Sequence, residues 1–204
     1  MAQAGTYPLT FTVEYPDREL NRLSSALRIF YAIPILLLLA IAFGRFGPHH
    51  ALFAAVSLLF FPVVLMLLFR HKYPRWWFDF NVQLLRLQTR VNAYLHLLRD
   101  EYPSTDEEQA VHLEVPYPDA PRELNRWLPL VKWLLALPHL IILIFLNLAA
   151  VVVAIIAWFA ILFTGRYPRG MFDFVVGVMR WNLRVTAYAF LLATDRYPPF
   201  SLQA

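Results

Sequence analysis

Three stretches of the chain carry no charged side chain: those between Arg28 and Arg45, between Arg45 and Arg70, and between Lys132 and Arg166. A helix that crosses a bilayer needs about 20 apolar residues for a hydrocarbon core of about 30 Å. The first two stretches predict a hairpin of spans over 24–43 and 51–70. Gly44 to His50 (GRFGPHH) connects them, and Pro34 bends the first. The third stretch holds 33 uncharged residues, Trp133 to Gly165, with Pro138 at the place of Pro34. As one helix it measures about 50 Å at 1.5 Å per residue, which needs heavy tilt. Two spans, 127–146 and 148–164, with a tight turn at Asn147, return the chain to its starting side and are the expectation. One long tilted helix is the rival.

Shorter patterns flank these runs. Leu9, Phe11 and Val13 alternate with polar residues, as do Val111, Leu113 and Val115. Period two predicts two half-buried strands, each ending in a Pro-Asp turn (Pro16-Asp17 and Pro118-Asp119), and the two can pair. After each hairpin comes an amphipathic segment, 76–98 and 170–192. Asp173, Gly177, Arg180 and Arg184 fall on one helix face, and Asp79, Gln83, Arg86 and Arg90 occupy the matching positions. Such segments suit the interface plane, apolar side toward the acyl chains and arginines at the phosphates.

The two amphipathic segments are copies. Tyr73 to Tyr94 (YPRWWFDFNVQLLRLQTRVNAY) matches Tyr167 to Tyr188 (YPRGMFDFVVGVMRWNLRVTAY), and Arg18 to Arg22 (RELNR) recurs as Arg122 to Arg126. The chain thus reads as one unit written twice, over 1–103 and 104–204. The expected fold is an all-α membrane protein with four transmembrane helices. They form two parallel hairpin repeats, each followed by an interfacial amphipathic helix, with short β-strands in a cytoplasmic cap.

Composition agrees with the membrane class: 59% of residues are hydrophobic and mean hydropathy is +0.50. No cleavable signal peptide is visible ahead of the first apolar run. With no cysteine there is no disulfide, thiol nucleophile or Cys-based metal site. Net charge is +4, and only Lys72 and Lys132 are lysines. On four spans, all of the 18 Lys and Arg residues except Arg45 share one side, which places both termini in the cytoplasm. Arginines flanking apolar segments favour lipid headgroups over nucleic acid. Residues 99–121 read as a solvated acidic link between the repeats.

Arg86 and Arg90 lie four apart on one face, as do Arg180 and Arg184. Like charges at that spacing repel, so these four are the candidate site for an anionic lipid headgroup. Asp79 and Asp173, near helix starts, complement the dipole there or pair with arginines across the repeats; Arg75 and Arg169 belong to the same inter-repeat set. The histidines are scattered without metal-site spacing. No catalytic residue, metal or cofactor is expected.

At Phe172-Asp173-Phe174 through Trp181, and at Ala160 to Gly170 (AILFTGRYPRG), the sequence resembles a bacterial family known as domain of unknown function 4389. Thr194 to Phe200 (TDRYPPF) resembles that family's end motif. Repeat 1 departs from it, with Arg70-His71-Lys72 where repeat 2 has Thr164-Gly165-Arg166. The resemblance implies a small bacterial inner-membrane protein and transfers no catalytic residue.

The functional expectation is a non-enzymatic scaffold or accessory subunit. Its partners would be membrane lipids, a membrane protein or a second copy of the chain, and not nucleic acid. A transporter of lipid or small amphiphile is the alternative; a pocket containing Asn147, Asn182 or His139 favours it. A lipid-modifying enzyme is weaker still.

Overall fold

Two four-residue strands, β1 (Thr10–Val13) and β2 (Val111–Glu114), pair antiparallel, with Phe11 opposite Leu113. The alternation predicted in the sequence sets their faces: Phe11, Val111 and Leu113 point inward and Thr10, Thr12 and His112 outward. The computed structural model describes residues 7–16, 19–42, 60–105 and 107–203. The expected connector 44–50, residues 51–59 of the expected second span, and Asp17-Arg18 lie outside them.

Helix α1 (Arg22–Ala26) starts where the Asn21 side chain accepts from the backbone N–H groups of Leu23 and Ser24. After a break at Leu27 the chain continues as α2 (Arg28–Ala42). Helix α3 (Phe60–Arg70) ends in a π turn closed by His71 in the left-handed region. Then come α4 (Arg75–Leu95), the single turn α5 (Ala120–Glu123), α6 (Pro129–Leu135), α7 (Leu137–Thr164) and α8 (Arg169–Ala189). Pro74 and Pro168 sit just ahead of α4 and α8 with the same extended backbone. Gly165 caps α7 at φ 74°, the position matching His71, and its carbonyl accepts from Leu20 N–H.

The expectation of four transmembrane helices is overturned. Among the described residues one helix, α7, is long and apolar enough to cross a membrane. The expected turn at Asn147 is absent, and 148–164 is the continuation of the same 28-residue helix. The reason is local. The Asn147 and Asn182 amides donate to each other, at 3.2 and 2.9 Å, so the one polar side chain in mid-run is satisfied without leaving the helix. The charge count that put both termini on one side assumed that turn. The described part of helix α2 has 15 residues, about 22 Å at 1.5 Å per residue. Pro138 lies in the first turn of α7, just past the break at Ala136 that separates α7 from α6, where its missing N–H costs nothing.

The two amphipathic helices do not lie flat on their own. Helix α8 runs back along α7. Ala136, just ahead of α7, packs with Tyr188 and Ala189 at the far end of α8, and Asn147 meets Asn182 between. Helix α4 returns along α2 in the same sense, with Leu87 and Val91 against Ile35 and Leu39. Each buries an apolar stripe within the chain. Both then end at a leucine in the left-handed region, Leu97 and Leu192.

Candidate functional site

The four candidate arginines reach backbone carbonyls. Arg86 Nε donates to Leu113 O (3.0 Å) and Arg180 Nε to Phe11 O (3.3 Å). Those two acceptors face each other in the sheet, so each arginine helix holds the strand of the other half. Arg90 donates to Ser104 O (2.6 Å). Arg184 donates to Ser201 O and Gln203 O (3.3 and 2.6 Å), and Arg180 also to Leu202 O (2.9 Å). The C-terminal segment therefore lies along α8, and it does so over Gly177, where a Cβ would stand 2.9 Å from Leu202 Cβ. Arg184 is 3% exposed; burial first, then the Arg180 charge, lower its pKa from the ordinary value. Carbonyl dipoles inside the chain thus answer the like-charge spacing.

Arg75 and Arg169 also cross between the halves, but to tyrosines. Arg75 lies over the Tyr117 ring (5.6 Å) and Arg169 over the Tyr15 ring (4.6 Å). The Tyr15 hydroxyl donates to Tyr167 O (2.6 Å), and that of Tyr117 to Tyr73 O. Each ring stands edge-on to a phenylalanine, Tyr15 to Phe172 and Tyr117 to Phe78. Asp79 and Asp173 stay on the exposed sides of α4 and α8 and enter none of the ion pairs among the described residues.

Two buried ion pairs went unread in the sequence. Arg28 pairs with Asp100, and Lys132 with Asp195 at 2.7 Å. Each cation also sits over a tyrosine ring, Arg28 over Tyr94 (4.4 Å) and Lys132 over Tyr188 (5.1 Å). Each donates to a carbonyl near its acid, Arg28 to Arg99 O and Lys132 to Thr194 O. Each carboxylate accepts in turn from an asparagine N–H, Asn21 or Asn125. Burial pushes the Lys132 ammonium below its usual range, and Asp195 pulls it part of the way back. The readable signal was Lys132 beside a long apolar run, with an acid two residues before each closing Tyr-Pro. Asp100 was absorbed instead into the solvated acidic link.

Three features remain at the helix contacts. His139 is fully buried; its Nδ1 accepts from Trp181 Nε1 (3.0 Å) and its ring stacks on Phe200 at 3.9 Å. A crevice of about 310 Å³ opens between α4, α7 and α8, with the Asn147 and Asn182 pair on one side and Gln88 and Asn92 on the other. An apolar groove of about 470 Å³ runs between the α1–α2 junction, the end of α4 and α7.

Residues 127–201 match the model of a family described as a domain of unknown function (DUF4389). No curated protein and no solved structure matches the chain. The matched region starts ahead of the motifs that carried the resemblance. It holds Lys132 and Asp195, the α7–α8 pair, Arg180 and Arg184.

Proposed function

We propose that the protein is an integral membrane protein, built by duplication of one unit, that acts as a non-enzymatic scaffold or accessory subunit in contact with lipid. The observation that supports this is the surface of α7. Only 17% of its most apolar stretch is buried inside the chain. Ile141, Phe145, Leu148, Val152, Phe159 and Phe163 are exposed along its whole length. The core helix of a water-soluble domain has such side chains covered, and apolar patches on soluble monomers rarely exceed a few hundred Å². Lipid would cover this one. Duplication is supported by the contacts made twice at matching positions, from the Asn21 and Asn125 N–H bonds to the Arg86 and Arg180 clasps. A bacterial inner membrane is the setting that the resemblance implies.

Alkaline carbonate washing tests the reading. The expressed chain should stay in the membrane pellet and need detergent for release; recovery in the wash supernatant would overturn it. A second reading, a carrier of lipid or small amphiphile, is favoured by one observation: the crevice beside Asn147 and Asn182.

A further inference from the structure

The crevice and the groove are neighbours. They share His96 and Val151 as a common wall, and both are open clefts, so one molecule can lie over that ridge and enter both. Their linings differ in kind. The crevice presents Gln88, Asn92, Asn147, Asn182 and Thr186 to its interior and includes no Asp, Glu, Lys or Arg. Burial holds the His96 imidazole below its usual pKa, so it is neutral at pH 7. The groove is walled by Ile29, Leu97, Ala154, Ile155 and Trp158. Arg28 also borders it, but that guanidinium is 3% exposed. It is committed to Asp100, Ser25 Oγ and the carbonyls of Tyr94 and Arg99, so its charge is already answered. Each hollow falls in the size range of small-molecule sites.

From this juxtaposition we infer a binding site for an uncharged amphiphile: a single acyl chain in the groove and a hydroxyl- or amide-bearing headgroup in the crevice. Amides and a threonine hydroxyl offer both donors and acceptors, which matches hydroxyl and amide groups. An anionic headgroup would find no cation in the crevice and would lose hydration on entering. Asn147 and Asn182 spend part of their capacity on each other. The side chains of Gln88 and Asn92 make no hydrogen bond among those formed by the described residues, and they are the groups left for a ligand. Polar side chains beside an otherwise lipid-facing helix mark functional positions by default. The inference rests on the membrane reading for the ligand's source, and on the two hollows for the ligand's chemistry.

The test uses the full chain in phosphatidylcholine nanodiscs with tritiated monooleoylglycerol as probe, empty nanodiscs as blank and unlabelled oleate as competitor. Oleate carries a similar chain with a charged head. Wild type should bind the glyceride above the blank, and oleate should compete at least tenfold more weakly than unlabelled monooleoylglycerol. Gln88→Leu with Asn92→Leu should lower binding at least tenfold by removing the head contacts. Ala154→Phe should do the same by filling the groove, and Ala154→Val serves if the larger side chain blocks insertion. Oleate competing as well as the glyceride would overturn the inference and point to a carboxylate near Arg28. Wild-type binding by correctly melting variants of both kinds would overturn it too, as would binding no higher than the blank. If carbonate releases the protein, the membrane reading falls alone. The same probe and competitor, applied to the released protein in solution, then decide the site.

Discussion

Lys132 Nζ lies 2.7 Å from Asp195 Oδ1 and 5.1 Å from the Tyr188 ring centre, with none of the lysine exposed. A cation so enclosed depends on its one carboxylate. Asp195→Ala should cost about 3–5 kcal/mol, because it strands a buried charge. Lys132→Met combined with Asp195→Asn should restore stability to within about 1 kcal/mol of wild type. Thermal melting of the three proteins in one detergent checks both. A mild single variant would show that water reaches the lysine.

Tyr73 and Tyr167 occupy matching positions, are both 1% exposed, and differ in what their hydroxyls meet. The Tyr73 hydroxyl donates to Leu191 O at 2.9 Å and has the Asn81 side chain as a second partner. The Tyr167 hydroxyl is buried without a partner among the described residues. Tyr73→Phe should therefore destabilise by about 1 kcal/mol, whereas Tyr167→Phe should be neutral or stabilising. Equal effects in melting experiments would remove the asymmetry.

Alkali should loosen the fold. Burial raises the phenol pKa of Tyr7, Tyr73 and Tyr167 well above the ordinary 10.0. Above pH 10 the unfolded chain releases these protons while the folded chain keeps them. The unfolded state then binds fewer protons, and stability falls with rising pH. Each tyrosine contributes about 1.4 kcal/mol per pH unit, roughly 4 for the three. Lys132, held below its ordinary 10.5, works in the opposite sense up to that value. The slope is accordingly read above pH 10.5, where Tyr94 and Tyr188, raised in the same sense, add to it and Tyr73→Phe should lower it by about 1.4 kcal/mol per pH unit.

Gly177 leaves room for the C-terminal segment. A Cβ there meets Leu202 Cβ at 2.9 Å and Leu202 O at 3.1 Å, so backbone must shift. Gly177→Ala should cost about 1–3 kcal/mol. It should also lift the segment from Arg180 and Arg184, and residues 199–203 should then be trimmed faster by carboxypeptidase. Unchanged trimming would mean that the segment yields without leaving.

The strands, their inward faces and the two amphipathic helices were legible because their signals are local: alternation at Phe11 and Leu113, helical spacing at Asp173, Gly177, Arg180 and Arg184. The misread element is α7. Asn147 looks like a break when the partner amide of Asn182 is 35 residues away. Topological reasoning then preferred a turn that the helix does not need. The buried ion pairs failed for the same reason. Arg28 and Asp100 are 72 residues apart, and nothing near Asp100 separates it from the acids that follow. Arginine pairs were read as facing outward anions, since spacing gives the face of a helix but not what covers it.

Helix α4 clasps β2 through Arg86, and α8 clasps β1 through Arg180. A polypeptide ending near residue 103 would carry a clasp without its strand and a strand without its clasp. The missing pieces would sit on a second polypeptide. Joining both in one chain makes their encounter intramolecular, at an effective concentration of about millimolar for a short linker. Stoichiometry is then one to one at any expression level, and assembly does not depend on two dilute products meeting.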